Sequence, residues 1–426
     1  MNQMLLAVTV FIAVYILIIS ERIHRTVIAL SGAIILLVFG VFQQAQALSY
    51  IDFNTLGLLI GMMIIVNITG KTGLFNYMAV YAAKKVKAQP VKLFFVLSCL
   101  TMISSAFLDN VTSVLLIVPI IFSLTSQLQI DVKPFLIAQI LASNIGGTAT
   151  LIGDPPNIMI GSAAGFDFMD FIFNVAPVSI IVFIINMTIL FLLYRKKLHT
   201  SSQLQEHVMR LNEKKEIVDA VLLKKCLFCL ALVIILFTAH SMLHMETATA
   251  ALLGASIMLL LTCSNDEEFL TDIFSRLEWL SIFFFMGLFI LVGGLVETGV
   301  IKIMAQEALA LTQGDVKGSA LLILWLSALA SACIDNIPFV ATLLPLIEEL
   351  GAMGVKDLNP IYWALSLGAC LGGCGTLIGS SANVVVASMS AQRGKNISFM
   401  KYFYIAFPLM LLSIVISHFY ILYLYF

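Results

Sequence analysis

Charge is what this 426-residue chain has least of. Asp, Glu, Lys and Arg make up only 11% of it and hydrophobic residues 61%, where a soluble domain carries about one quarter charged residues. That scarcity excludes water as the main solvent. The near-balance of charge, −1 overall, gives no sign of nucleic acid as a partner. Histidine is scarce too, at six residues. The seven cysteines (Cys99, Cys226, Cys229, Cys263, Cys333, Cys370 and Cys374) lie in or beside apolar runs with no His or carboxylate spaced as co-ligands. Cys226-x-x-Cys229 is therefore read as a pair of small apolar residues rather than half a metal site. The N-terminal run lacks a basic n-region and a small-x-small cleavage site, so it is read as a first spanning helix and not a signal peptide.

Long apolar runs are abundant instead. Stretches of the roughly 20 residues that cross a bilayer begin near Met4, Thr26, Asn54, Phe173, Leu227, Thr247, Leu280 and Tyr402. Four further apolar stretches, 91–124, 135–164, 320–350 and 361–391, are interrupted by Gly, Pro, Asn and Asp. A gap-free shift of 226 residues lays Ser105–Pro119 (SAFLDNVTSVLLIVP) on Ser331–Pro345 (SACIDNIPFVATLLP), and Gly146–Asn157 (GGTATLIGDPPN) on Gly372–Asn383 (GGCGTLIGSSAN). Seven of the twelve positions in the second pair are identical, which marks an internal duplication. Asp52 falls on Glu278 and Gly61 on Gly287 under the same shift.

Irregular backbone at membrane depth survives only where it is buried in protein or lines a wet cavity. Stretches 91–124 and 320–350 are therefore expected to be re-entrant hairpins, and 135–164 and 361–391 helices broken in mid-membrane. Each half then crosses five times, and an odd number forces the halves into opposite orientations. The expected fold is an all-α polytopic membrane protein of two inverted repeats, 1–194 and 226–426, joined by a cytoplasmic linker at 195–225, with about ten transmembrane helices. With both termini outside, Arg22, Arg25 and the other basic residues gather on the inner face and only Lys302, Lys317 and Lys356 fall outside, as positive-inside statistics require. His240, His244 and His418 have no mates in the other half and are read as packing or interfacial residues.

An ionised side chain near the bilayer centre costs roughly 3 kcal/mol on insertion scales and so demands a reason. Asp109-Asn110 and Asp335-Asn336 occupy equivalent hairpin tips, where one helix ends and another begins and unpaired backbone groups meet. Gly146, Gly147, Gly372 and Gly373 allow close backbone approach, and Asn144, Thr150, Asn157, Thr376 and Asn383 add hydroxyl and amide oxygens at matching depth. Asp154 is a third candidate carboxylate, mated with Ser380, and Thr112 is mated with Pro338. Such hard oxygen ligands suit H⁺ or Na⁺ rather than a transition metal, with Asp109, Asn110, Asp335 and Asn336 as the expected Na⁺ ligands. The plainer reading is helix capping by Asp, which accounts for one tip but not for a duplicated carboxylate beside a duplicated break.

FLDNVTSVLLIVPI and ASNIGGTATLIGDPPNIMIGS resemble the signature segments of the ion transporter superfamily, in its ArsB/NhaD/P-protein branch, with the likeness running from about Met4 to the C-terminus. More distantly, the hairpin tips match the Ser-Asn-Thr tips of dicarboxylate transporters, with Asp109 and Asp335 in the Ser position. The resemblance implies an elevator-type carrier, a homodimer in the plasma membrane with no cofactor beyond its coupling ion, in which Asn110, Asn336 and the Gly-Gly loops frame the ion and substrate sites. It implies secondary transport of a small ion: H⁺ or Na⁺ coupled antiport first, arsenite or oxyanion efflux next, and organic anions last because two fixed carboxylates repel them. An intramembrane aspartyl protease would need Gly-x-Gly-Asp where the chain reads Leu151-Ile152-Gly153-Asp154, and would leave Asp335 idle, so no enzyme is expected. A passive channel has no use for inverted repeats.

Overall fold

The computed structural model describes residues 3–20, 22–239, 245–263 and 266–426, and these fold into helices with no strand among them. His240 and His244 lie outside the described residues. The first half runs α1 (Gln3–Ser20), α2 (Arg25–Val38), α3 (Phe53–Gly70), α4 (Leu74–Lys85), α5 (Pro90–Phe107), α6 (Asn110–Gln127), α7 (Lys133–Thr148), α8 (Pro155–Ala164) and α9 (Ala176–Tyr194). The second runs α10 (Ala220–Ala239), α11 (Thr247–Thr262), α12 (Trp279–Glu297), α13 (Val300–Thr312), α14 (Val316–Cys333), α15 (Asn336–Ala352), α16 (Asn359–Gly372), α17 (Ser381–Gln392) and α18 (Phe399–Tyr425). Nine of the described helical stretches are long and apolar enough to cross a membrane, and α2 and α11 are shorter apolar helices. The chain is a polytopic helical membrane protein.

The 226-residue shift carries the first nine helices onto the second nine, and α5 lands on α14 residue for residue. Each half holds one helical hairpin and one helix in two pieces. Helices α5 and α6 make one hairpin, turning at Leu108-Asp109, and α14 and α15 the other, turning at Ile334-Asp335. Helices α7 and α8 are the two pieces of one broken helix, and α16 and α17 of the other. The helix α10 begins at Ala220, so the last six residues of the expected linker, Ala220–Lys225, belong to it.

Packing repeats with the halves exchanged. Helix α3 lies on α11 while α2 lies on α12, and α8 lies on α15 while α17 lies on α6. The α3–α11 and α2–α12 contacts are close because Gly61 meets Ala251 and Gly287 meets Ala29, where a Cβ would stand 2.8 Å from partner backbone; small residues of this kind let membrane helices approach. Neither half is therefore a separate body. Each supplies walls for the other, and the two hairpin tips and two helix breaks converge on the middle.

The linker at 195–225 breaks this symmetry. It lies along α4, with Lys84 donating to the Leu211 carbonyl at 2.9 Å and to Glu213 at 2.5 Å. The Val218 amide donates to Thr72 at 3.0 Å. The hydrogen bond from Lys84 draws the Glu213 carboxyl below its ordinary range.

Candidate functional site

The break loops are held by their own asparagines. Asn157 donates to the carbonyls of Gly147 (3.3 Å), Thr148 (3.0 Å) and Thr150 (2.9 Å), and Asn383 to those of Gly373 and Thr376, each at 2.8 Å. These carbonyls are the orphans left where a helix stops, and a fully buried amide satisfies them. Thr150 and Thr376 tie each loop to its hairpin through the Ala106 and Ala332 carbonyls. Gly146 and Gly372 permit the contact, since a Cβ there would stand 2.2 Å from Met102 O and 2.5 Å from Ala328 O. Gly147 and Gly373 face Gly153 and Gly379 in the same way. These eight residues build the frame around the cavity and do not line it.

The lining comes from elsewhere. One cavity of about 40 Å³ is bounded by Asp109 and Asn110 from the first tip, Asp335 and Asn336 from the second, Asp154 at the start of α8, and Arg25 and Glu278. Its size suits about one water or one bare ion. Asn110 donates to Asn144 (3.3 Å), and Asn144 in turn to Asn383 (2.7 Å), so the first tip is wired to both breaks. On the other side Asn336 donates to Asp154 at 3.2 Å. The four carboxylates line the cavity from different walls. Among the described residues no three acidic, His or Cys side chains close around one point as a metal cage.

Capping decides which carboxylates are free. An N-cap Asp accepts from the amide two or three residues on, and Asp109 does so, from the Thr112 amide at 2.8 Å and from the Thr112 hydroxyl. Asp335 faces Pro338 at that place, which has no amide hydrogen, and makes no capping bond. Asp154 makes no side-chain cap either: the amide three residues on, that of Asn157, donates to its backbone carbonyl at 2.9 Å. Both therefore turn their carboxylates elsewhere. Asp335 pairs with Arg25 from α2, and Ser381 accepts from Arg25 at 3.0 Å and donates to Asp335 at 3.1 Å. Its second oxygen, Oδ1, is buried and has no hydrogen-bond partner among the described residues.

Two charged lining residues are absent from the expected set. Arg25 counts in the sequence only as an inner-face positive charge, and Glu278 only as an echo of Asp52. The pair diverges in use: Asp52 caps α3 through the Asn54 and Thr55 amides at 2.9 and 3.1 Å, whereas Glu278 makes no capping bond and receives Ser281 at 3.1 Å. The sequence signal was available for Arg25, whose mate under the shift is Ala251, a charge with no counterpart at the head of an apolar helix. His418, by contrast, accepts a hydrogen bond from Trp325 at 3.2 Å, far from the tips.

Residues 15–368 match the family model described as citrate transporter, CitMHS. An uncharacterized transporter of Mycobacterium tuberculosis is 42% identical over 402 residues, covering 93% of this chain and 92% of that protein. The P protein of Mus musculus is 34% identical and covers 99% of this chain, which spans 60% of that longer protein. The crystal structure of the YdaH transporter of Alcanivorax borkumensis shares the fold, with a TM-score of 0.60 at 11% identity over 99% of this chain and 98% of that one.

Proposed function

Because the chain belongs to the citrate transporter family, CitMHS, and is a membrane transporter rather than an enzyme, we propose that it moves a small cation by H⁺ or Na⁺ coupled antiport, with the cavity between the hairpin tips as the coupling site. One observation carries this reading: four carboxylates, Asp109, Asp154, Glu278 and Asp335, face a cavity that holds a single guanidinium. Ionised carboxylates crowded in a site of low dielectric disfavour one another, so the site asks for cations or protons to neutralise it. Its volume of about 40 Å³ suits an ion and is too small, in this conformation, for a tricarboxylate. Asn110 and Asn336 offer amide oxygens as neutral ligands beside the carboxylates.

In the cycle we propose, Asp335 and Asp154 exchange H⁺ for Na⁺ while the two hairpins and two broken helices move as one body against α2, α3, α11 and α12. The orientation with both termini outside, the plasma membrane location and the dimer belong to the same proposal. A second reading has one specific support. Arg25 is a guanidinium in a family whose model is described as citrate transporter, and released from Asp335 it would suit a carboxylate or oxyanion cargo.

Proteoliposomes with a trapped pH dye test the first reading. Na⁺-dependent proton flux in the wild type, lost in Asp335→Asn and Asp154→Asn, is the expected result. Absence of flux in the wild type, with uptake of labelled citrate or arsenite instead, would overturn it in favour of the second.

A further inference from the structure

Resting on the cation-transport reading, we infer that Arg25 is a tethered competitor for the cation site: its guanidinium occupies Asp335 in the empty carrier, and an incoming cation must displace it. The geometry places a cation where one is needed. Asp335 Oδ2 is held by Arg25 and Ser381 together, while Oδ1, buried in the same wall, accepts nothing among the described residues. A buried carboxylate oxygen left without a donor is unfavourable, so the pair is half-satisfied and open to a better ligand. Arg25 is partly exposed, at 26%, against 11% for Asp335. It borders both the small cavity and a neighbouring vestibule of about 360 Å³, which Asp335 and Ser381 also line. The guanidinium therefore has somewhere to go when it lets go of Asp335. Its other near neighbour, the Phe284 ring 5.0 Å away, would retain it by a cation–π contact.

The pair also joins two bodies. Arg25 stands at the head of α2, which is packed on α12, whereas Asp335 and Ser381 belong to the second hairpin and the second broken helix. The first hairpin tip has no equivalent, because Ala251 stands in the second half where a mate of Arg25 would be. The competitor thus acts on one of the two tips, and it latches the hairpin to the wall helices only while no cation is bound. An apparent dissociation constant is weakened by the fraction of time the competent state is unavailable. If Asp335 is free of Arg25 about a tenth of the time, removing the guanidinium should tighten apparent Na⁺ binding roughly tenfold.

The test is thermal unfolding of the purified full chain, titrated with NaCl at constant ionic strength in choline chloride, for wild type, Arg25→Gln, Arg25→Lys, Asp335→Asn and the Arg25→Gln/Asp335→Asn double variant. The expected result is a half-saturating Na⁺ concentration about tenfold lower in Arg25→Gln than in wild type. Arg25→Lys should lie between them, and the two variants lacking Asp335 should respond alike. A Na⁺ response that appears only when Arg25 is replaced supports the inference as well. Equal or weaker Na⁺ binding in Arg25→Gln, with a clear response in wild type, overturns the competitor and leaves cation transport standing. No response to Na⁺ or to pH in any variant overturns both. Should Arg25→Gln fail to fold, Arg25→Lys decides, since a competitor weakened by loss of the guanidinium nitrogen that serves both Asp335 and Ser381 gives tighter Na⁺ binding and a purely structural pair does not.

Discussion

Asp109 and Asp335 stand at the same place in two copies of one hairpin and do different work. Asp109 is committed to its own helix through Thr112, while Asp335, denied an amide by Pro338, reaches across to Arg25 on another element. A chemical divergence also separates Asp154, a carboxylate, from Ser380, although neither caps its helix, and Asn144 from Cys370, which donates instead to Asn157 at 3.4 Å. Duplication supplies two equivalent frames, and single substitutions at the head of a helix then decide which frame carries a reactive charge. Mobility of charge is set here by whether the backbone has a hydrogen to offer.

The sharpest way to break the comparison is to neutralise each tip in turn. Asp335→Asn and Asp154→Asn should abolish cation-coupled flux in proteoliposomes. Asp109→Asn should retain a measurable fraction, because Asn is also a good N-cap and keeps the Thr112 contact. Equal loss in all three would mean that capping does not distinguish the carboxylates. The frames, in contrast, should fail alike. Asn157→Ala and Asn383→Ala each strip buried carbonyls of their donor, at about 1–3 kcal/mol per orphaned group, and should lower the unfolding temperature in detergent by similar amounts. Gly146→Ala, forced against Met102 O, belongs to the same class, at about 1–3 kcal/mol for overpacking.

A finer change exchanges the caps. Pro338→Thr restores the amide that Asp335 lacks, and a cap is worth about 1 kcal/mol. It should raise thermal stability while drawing the carboxylate off Arg25, visible as a changed half-saturating Na⁺ concentration; no change in Na⁺ response would sever the link between proline and free carboxylate. The smallest effect concerns the linker, which one half has and the other lacks. The Glu213 carboxyl lies below its ordinary value in the folded chain, so its pairing with Lys84 contributes above the unfolded carboxylate value, about 4.3, and is lost as pH falls through the folded value. Limited proteolysis of the linker should therefore speed up modestly at pH near 4 relative to neutrality, and Glu213→Gln should make cleavage at neutral pH resemble that at low pH. Asp272, drawn down by a hydrogen bond from Lys71 and then by Arg276, should behave likewise where it meets α3.

Much of the molecule was legible in the chain. The polytopic helical class followed from long apolar runs, and the duplication from Gly, Pro, Asn and Asp at matching positions, because membrane length and backbone satisfaction leave few alternatives. The asparagines of the breaks were legible as polar groups at depth but not as loop anchors, since a side chain's partners depend on where the backbone has turned. Arg25 and Glu278 were misplaced for a different reason. Each sits at a helix head, where charge statistics report only the membrane face, and their neighbours in space lie 310 residues away for Arg25 and Asp335 and in the opposite half for Glu278 and Asp109.

By itself the sequence determined a duplicated, helical membrane protein with two carboxylate tips and two broken helices, because hydropathy, helix breaking and repetition are local properties of a chain. The tertiary structure alone decided that these tips share one cavity, that a fourth carboxylate and a guanidinium enter it from the walls, and that one tip is capped while the other is paired. Those outcomes depend on which helices of one half pack against which helices of the other, and exchange packing between repeats leaves no local trace.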